Sequence, residues 1–127
     1  MNIKIINFDK AITRVIIDEA KTYNSLSFKN LNDLIKVFKK LDKDQKVKVI
    51  ILEGAGKGFS AGHNLNEVKK LKTKERYQKL FNLCSKLMLQ IVEGRKPVIA
   101  KVHGAAYAAG CQLVASCDLA YSTNDAL

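Results

Sequence analysis

The amino-acid sequence predicts a single α/β domain over residues 1–127, and three observations lead to that prediction. Short runs of β-branched and aliphatic residues recur along the chain, with helical periodicities between them. The run 47–52 is apolar apart from Lys48, as expected for a strand in a sheet that is covered on both faces. Two glycine-bearing loops, near 54–62 and 103–110, each follow a predicted strand and precede a predicted helix.

The first half of the chain predicts a hairpin, a loop, a helix and a strand. Residues 3–8 and 11–18 are rich in β-forming residues and are separated only by Asp9 and Lys10, which predicts a β-hairpin. Residues 20–26 are polar and irregular, which predicts a loop. Ser27 is a suitable N-cap for a helix that ends near residue 41. The apolar residues that recur at helical spacing after it are Phe28, Leu31, Ile35 and Phe38.

The second half predicts a long helix, two strands and a shorter helix made of small residues. A helix is expected from about 74 to 92, with Gly94 capping its end and Pro97 preventing its continuation. Strands follow at 98–102 and 118–121. The apolar stripe of the long helix predicts core packing, or the wall of an acyl pocket, and consists of Tyr77, Leu80, Phe81, Cys84, Leu87, Met88, Ile91 and Val92.

The stretch around which the chain is organised is 57–67, which reads K-G-F-S-A-G-H-N-L-N-E. Glycines at 54, 56, 58 and 62 allow a ligand to approach the main chain closely, so the loop suits the presentation of backbone N–H groups. An ordinary glycine-rich turn is the alternative interpretation. A leading run of apolar residues and a following helical pattern put this loop at the end of a strand.

A second stretch, 98–120, changes the balance between these interpretations. A β-type run ends at His103 and Gly104, and a helix of small residues begins soon afterwards, so unpaired N–H groups of that helix end face whatever lies beside them. Two such backbone donor sites in one small domain predict a candidate oxyanion hole for an acyl group. Dinucleotide-binding and P-loop motifs are both missing from the sequence.

On these two motifs the chain resembles the crotonase (enoyl-CoA hydratase/isomerase) superfamily. F-S-A-G-H-N-L is similar to the family's first oxyanion motif, and A-A-G-C-Q-L-V-A-S-C-D-L-A to its second. The A-A-G-C-Q segment resembles the enoyl-CoA hydratase domain-containing subgroup. The resemblance implies a crotonase (ClpP/crotonase-like) fold, of which this chain would be the N-terminal part of the ββα superhelix. Family members are roughly twice as long, so a C-terminal portion is expected to be lacking.

The resemblance implies which residues stabilise the charge on a thioester oxygen. The backbone N–H groups of Ala61 and Ala109 would be the donors, and Gly62 and Gly110 would allow the close approach of the substrate. Gln112 stands where family hydratases have the first of two catalytic glutamates, and an amide cannot act as a base. The second glutamate would lie beyond the chain. The resemblance therefore argues against hydration by the two-glutamate route.

Further positions are implied to bind the substrate. The segment K-T-Y-N-S-L resembles the family's Pro-Lys-x-x-Asn-Ala-Leu pattern, which helps to hold the nucleotide end of coenzyme A. Lys21 would then stand near phosphate, with simple solvent exposure as the alternative. Glu67 has two interpretations, a catalytic acid or a solvated residue at a helix start. The remaining residues expected to line the substrate path are Ser25, Leu26, His63, Asn64 and Leu65.

Three functional hypotheses follow. The first is an acyl-CoA-binding enzyme of fatty-acid metabolism, with isomerase or residual hydratase or lyase chemistry. The second is a non-catalytic or regulatory thioester-binding member of the family. The third is a basic RNA-binding module, prompted by a formal charge of +10 and disfavoured because aromatic residues make up only 7% of the chain. Lysines on solvated helix faces explain the charge equally well.

The sequence also bears on cofactors, location and assembly. No cofactor is expected to be bound covalently, because coenzyme A arrives as part of the substrate, and no metal-ligand spacing is present. Three cysteines are expected to be reduced core residues, with a nucleophile or a metal ligand as alternatives. No run is long enough for a membrane span, which predicts an intracellular protein of the cytoplasm or of a mitochondrial or other organelle matrix. The resemblance implies a homo-oligomer, a trimer or hexamer.

Overall fold

The structure is a computed structural model that describes residues 2–127. Its strands form one sheet in the order β1-β2-β3-β4-β5, in which β1 and β2 form an antiparallel hairpin and all other pairs are parallel. The bounds are β1 Ile3–Asn7, β2 Ile12–Ile17, β3 Val49–Gly54, β4 Val98–Val102 and β5 Leu119–Ser122. The hairpin, the following strands and the α/β class agree with the expectation from sequence.

Helices occupy the connections between the parallel strands, and their bounds are α1 Phe28–Lys43, α2 Leu65–Lys70, α3 Lys74–Glu93 and α4 Ala109–Ser116. Ser27 caps α1 as predicted, because its side chain accepts a hydrogen bond from Asn30 N. The lysines of α1 at 36, 39, 40 and 43 are exposed, which agrees with a solvated helix face. Within residues 2–127 no helix is both long and apolar enough to cross a membrane.

The core lies between one face of the sheet and the helices α1 and α3. The strand register places Val15, Leu52 and Ala100 side by side on that face, and all three are fully buried. Residues of α1 and α3 complete the same apolar cluster, because their inward stripes pack against these strands. The opposite face of the sheet is less covered, since Lys101 and Tyr121 stand exposed on it.

The structure differs from the predicted elements at several ends. The short helix α2 was not predicted, whereas α3 begins at Lys74 as expected, where Thr73 caps it by accepting a hydrogen bond from Arg76 N. One 3-10 turn, Ala20–Thr22, lies inside the predicted loop. Gly94 ends α3 as expected, but its φ is −63°, so a left-handed cap is not the reason for glycine there. A Cβ on Gly94 would lie 2.9 Å from Gln90 O, so space is the reason.

Candidate active site

The two glycine-bearing loops predicted from sequence lie side by side. Tyr107 N–H donates to Ser60 O at 3.0 Å, and the N–H groups of Phe59 and Ser60 both donate to Ala105 O, at 2.9 and 3.1 Å. A parallel bridge between Ser60 and Ala106 continues the pairing of β3 and β4 beyond the strand ends. The two motifs therefore form one backbone-lined surface, although they are separated by more than 40 positions along the chain.

Two glycines make the close contact between these loops. A Cβ on Gly110 would overlap Ser60 O, so this glycine admits the neighbouring loop rather than a ligand. The prediction that Gly110 allows the approach of a substrate is corrected accordingly. Gly62 has a φ of +92°, and a Cβ built on it would lie 3.2 Å from Ala109 N. The bare Cα of Gly62 thus borders the amide that begins α4.

The N–H of Ala109 is free of hydrogen bonds within residues 2–127. Gly110 N–H donates to Tyr107 O at 2.8 Å and closes a tight turn just before α4. Ala108, the second residue of that turn, has φ 51° and ψ −120°, a conformation that glycine adopts at lower cost. Ala109 is itself buried, with 7% of its surface exposed.

The first motif presents a different amide from the one predicted. Ala61 N–H donates to Tyr23 O at 3.0 Å, and Gly62 N–H donates to Ser60 Oγ at 3.2 Å, so neither is open to a ligand. The prediction that Ala61 is the first oxyanion donor is therefore wrong in this conformation. The next amide, His63 N–H, makes no hydrogen bond within residues 2–127. It directly follows Gly62, which borders Ala109 N.

The imidazole of His63 is anchored away from the backbone amide. Its Nδ1 lies 3.3 Å from Leu26 O, and its ring packs edge-on against Phe81 with 5.5 Å between ring centroids. Leu26 N–H in turn donates to Gly62 O at 2.7 Å. Leu26 is fully buried, so it supports the loop instead of contacting a substrate as predicted. Among residues 2–127, no carboxylate contacts the His63 side chain to orient it as a base.

Asn24, which was not among the predicted site residues, fastens the first motif to the loop 19–26. Its Nδ2 donates to the carbonyl oxygens of Ala55, Gly58 and Phe59 at 2.7, 3.0 and 3.2 Å. Its Oδ1 accepts from Glu19 N at 2.8 Å. Asn24 is 1% exposed and has a φ of 54°, a left-handed conformation that asparagine tolerates better than most residues. The tolerance of asparagine for the left-handed conformation is the sequence signal that could have identified Asn24.

Ser25 and Asn64, two residues predicted to line the substrate path, have structural roles. Ser25 is 1% exposed, and its hydroxyl donates to Thr22 Oγ1 at 3.0 Å. Asn64 caps α2, because its Oδ1 accepts from Asn66 N and Glu67 N at 3.0 and 3.3 Å. The predicted substrate contact of the buried Ser25 is corrected, whereas that of the half-exposed Asn64 stays a prediction. Leu65 is 72% exposed at the start of α2, and its contact with a substrate also stays a prediction.

Glu67 lies in the first turn of α2, as the helix-start interpretation expected, but it is half-buried and hydrogen-bonded instead of fully solvated. Its Oε1 accepts a hydrogen bond from Phe28 N at 3.0 Å, which joins the start of α2 to the start of α1. A carboxylate at a helix N-terminus stabilises the unpaired N–H groups and the positive end of the helix dipole. Glu67 is therefore an additional cap of α1.

Two adjoining cavities lead toward these motifs. The larger, of about 500 Å³, lies between the loop 19–26 and the loop 54–58, and the side chains of Lys21 and Lys57 both line it. The smaller, of about 210 Å³, has an apolar lining that includes Ala61 and Tyr107. Tyr23 lines both. Lys21 is exposed at the mouth of the larger cavity, so its two interpretations, a phosphate ligand and a solvated lysine, both fit this position.

Gln112 and the cysteines complete the predicted set. Gln112 lies on the exposed side of α4, three residues after Ala109, with no side-chain hydrogen bond in the described part of the chain.

Cys84 is buried as expected, whereas Cys111 is exposed. Burial, with a smaller effect of Asp118, raises the pKa of Cys117 to about 12, so this thiol stays protonated at neutral pH.

Comparison with known proteins gives consistent matches along nearly the whole chain. A sequence profile of the family described as Enoyl-CoA hydratase/isomerase matches residues 7–127. A mitochondrial enoyl-CoA hydratase domain-containing protein 3 from Xenopus laevis is 38% identical over 120 residues, which cover 94% of this chain and 41% of that protein.

Solved structures give the same result for the fold. An enoyl-CoA hydratase from Mycobacterium smegmatis superposes with a TM-score of 0.96 at 40% identity, covering 99% of this chain and 49% of that one. The human enoyl-CoA hydratase domain-containing protein 3 superposes with a TM-score of 0.93 at 34% identity, with the same two coverages. The chain thus spans about half the length of the relatives that it matches.

Proposed function

The chain belongs to the enoyl-CoA hydratase/isomerase family, and we propose that it binds an acyl-CoA thioester and stabilises an enolate of that thioester between two backbone amides. The crotonase-like fold and the relationship to the hydratase domain-containing subgroup, both predicted from sequence, are confirmed. Because the chain spans about half of its relatives, substrate, reaction and partners are proposals for this molecule.

One observation carries the proposal. His63 N–H and Ala109 N–H are free of hydrogen bonds within residues 2–127, and they come from the two motifs that Gly62 brings into contact. A side chain at Gly62 would reach to 3.2 Å from Ala109 N, so glycine keeps the space beside that amide open. On this basis we propose that the two amides donate to a single carbonyl oxygen.

The chemistry that these amides support is the stabilisation of negative charge on the thioester oxygen. As an enolate forms, electron density moves onto that oxygen, and each fixed N–H donor contributes about 3 kcal/mol in a site from which water is excluded. The amides need no reorganisation, because β3, β4 and α4 hold the loops that carry them. Backbone amides stabilise charge but do not transfer protons, so other residues would have to supply the proton-transferring groups.

Gln112 limits the reaction that the chain can perform alone. Its amide can orient a water molecule or a substrate by hydrogen bonds, but it cannot remove a proton from water. Glu67, the acidic residue that follows the first motif, is already engaged with Phe28 N–H. We therefore propose isomerase-like enolate stabilisation ahead of hydration. Binding of a thioester without turnover is the second candidate, and the glutamine at 112 favours it.

The test compares binding with turnover. Titration of the chain with crotonyl-CoA and with free coenzyme A is expected to give tighter binding of the thioester, since only crotonyl-CoA offers a carbonyl oxygen to the two amides. Gln112→Glu is expected to raise the rate of crotonyl-CoA hydration above that of the unmodified chain. Thioester binding without any turnover would favour the non-catalytic candidate. Equal binding of both ligands, or none at saturating concentration, would contradict the proposal.

Assembly and location are proposed on separate grounds. Leu119 and Tyr121 stand 56% and 65% exposed on the less covered face of the sheet, and exposed apolar surface of this kind favours association. The resemblance to the family that was noted from the sequence leads us to propose a trimer or a hexamer. Light scattering of the purified chain would measure the molecular mass of this assembly. The mitochondrial designation of the Xenopus laevis relative supports an organelle-matrix location over a cytoplasmic one.

A further inference from the structure

The strand β5 forms one edge of the sheet, and within residues 2–127 no strand pairs with its outer side. All four of its residues are exposed. An edge strand of this kind presents a row of unpaired N–H and C=O groups, to which a further strand can add. The opposite edge, β1, carries a lysine, Lys4, in an ion pair with Asp18. β5 carries no charged residue, so its sequence contains no charge that would oppose pairing.

The pairing of β5 with β4 fixes which backbone groups face the open edge. Asp118 N–H donates to Val98 O at 2.9 Å, so the backbone of Asp118 is directed toward β4. Successive residues of a strand direct their backbone groups to opposite sides, so Ala120 also faces β4. Leu119 and Tyr121 therefore direct their N–H and C=O groups outward.

The side chains of Leu119 and Tyr121 extend an apolar area on the less covered face of the sheet. They lie two residues apart on β5, so both point to the same face. The register places Leu119 beside Ile99, which lies beside Ile51 of β3. Ile51 and Ile99 are half-buried, whereas Leu119 and Tyr121 are 56% and 65% exposed. Exposure of this area therefore increases toward the edge, where a further strand would cover it.

The charge distribution favours a second copy of the chain as the occupant of this edge. The chain has a formal charge of +10, yet residues 102–127 contain no lysine or arginine. Their only acidic residues are Asp118 and Asp125, and Asp118 is engaged, since its Oδ2 accepts from Val98 N–H at 2.8 Å. Lysine-rich surfaces of two copies repel each other. Two copies meet with the least repulsion at the segment that contains β5.

We propose that β5 pairs antiparallel with β5 of a second copy, around a two-fold axis at Ala120. The two sheets then join into one continuous sheet. This inference rests on the association proposed above and is independent of thioester binding. A two-fold contact is isologous, so it makes a dimer of single chains or joins two trimers into a hexamer. It therefore requires an even number of chains.

The sequence of β5 is complementary to itself in this register. With Ala120 opposite its own copy, Leu119 of each chain lies opposite Tyr121 of the other. Both residues direct their backbone groups outward, so each pair exchanges its two N–H···O bonds, and aliphatic–aromatic pairs stabilise antiparallel ladders. The Ala120 pair is then the closely spaced pair without hydrogen bonds, where a small side chain fits. Lys101 of β4 would lie three strand spacings, about 14 Å, from its copy, which is beyond the screening length at physiological salt.

The first test measures the molecular mass by analytical ultracentrifugation over a range of chain concentrations. Leu119→Lys places a charge at the contact, and Tyr121→Pro removes an outward N–H at an edge position that tolerates proline. Each variant should halve the mass and weaken the contact at least about tenfold. Phe8→Lys is the matched control, because Phe8 is 64% exposed but lies beyond the end of β1. It should leave the mass unchanged.

The second test measures the register by cross-linking with oxidised glutathione. Ala120→Cys places a thiol next to its own copy at the two-fold axis, within the distance that a disulfide spans, so this variant should form a covalent dimer. Tyr121→Cys places its thiol opposite residue 119 and should cross-link much less. The unmodified chain is the control, because it already has an exposed thiol at Cys111.

Three outcomes would overturn the inference. They are the mass of a single chain at every concentration, an odd number of chains, and an even-numbered assembly that both Leu119→Lys and Tyr121→Pro leave intact. Equal cross-linking of Ala120→Cys and Tyr121→Cys would overturn the register. Circular dichroism should show that the variants remain folded. Crotonyl-CoA titration of the unmodified chain separates the two proposals, since a lack of binding would contradict the proposed function and leave this contact standing.

Discussion

Gly62 and Ala109 lie in contact across the two motif loops, with the position of a Gly62 Cβ 3.2 Å from Ala109 N. Both His63, which follows Gly62, and Ala109 have an amide that makes no hydrogen bond within residues 2–127. The contact also explains why residue 62 has a φ of +92°, since that conformation turns the chain after Ser60 and brings Gly62 beside α4.

Gly62→Ala tests this arrangement. The added methyl group would enter the space beside Ala109 N, so we expect crotonyl-CoA binding to fall at least about tenfold. The positive φ should also lower the free energy of unfolding by about 1 kcal/mol. Gly94→Ala is the matched control, because the added Cβ would also be crowded, at 2.9 Å from Gln90 O, but at the C-terminal end of α3 and not in either motif. That variant should lose stability and keep its affinity, and equal affinity in both variants would contradict the assignment.

Asn24→Asp tests the connection between the loop 19–26 and the first motif. The substitution keeps the acceptor for Glu19 N and replaces the amide that donates to three carbonyl oxygens with a buried carboxylate. We expect the free energy of unfolding in urea to fall by about 2–4 kcal/mol. Asn32→Ala, on the exposed face of α1, should change it by less than about 0.5 kcal/mol. Similar values for the two variants would exclude Asn24 as the fastening residue.

Local patterns predicted most of the elements, and the structure shows why. The hairpin and the cap at Ser27 depend on residues that are close together along the chain. The short helix α2 was not predicted, although Asn64 is a good N-cap, because six residues show too little apolar periodicity to indicate a helix.

The donor amide of the first motif could not be read from sequence in the same way. Ala61 N–H is occupied by Tyr23 O, 38 residues earlier, and no periodicity or motif letter carries information about such a contact. Leu26 matches the family pattern and Ser25 lies in the same segment, yet both are buried, and the Ser25 hydroxyl donates to Thr22 Oγ1 within the loop. The roles of Ala61, Ser25 and Leu26 depend on contacts between distant parts of the chain, which residue types alone do not reveal.

Glu67→Gln separates a capping role from a catalytic one. The amide keeps an oxygen for Phe28 N–H but loses the charge that interacts with the dipole of α1, so we expect a loss of about 0.3–1 kcal/mol in the free energy of unfolding. Glu67→Ala removes the acceptor as well and should cost about 1–2 kcal/mol. Crotonyl-CoA binding and turnover should be unchanged in both variants. A large drop in turnover with normal stability would restore the catalytic interpretation.

The ion pair between Arg14 and Glu53 predicts a specific pH dependence of stability. Arg14 donates to both carboxylate oxygens of Glu53, at 2.9 and 2.6 Å, and this hydrogen bonding holds the pKa of Glu53 below its usual value. A lowered pKa means that the stabilisation is present above about pH 4.3, the value in an unfolded chain, and is lost as the pH falls through the folded pKa. At pH 7, Glu53→Gln should therefore lower the free energy of unfolding by about 1.5–3 kcal/mol. The difference in unfolding free energy between the unmodified chain and Glu53→Gln should shrink in urea unfolding curves recorded from pH 5 down to pH 2.

Asp33→Asn is the control, because it alters the i,i+4 pair of Asp33 with the exposed Lys29. Its unfolding free energy should differ from that of the unmodified chain by less than about 0.5 kcal/mol at every pH. A constant difference between the unmodified chain and Glu53→Gln would mean that the charge of Glu53 does not stabilise the sheet.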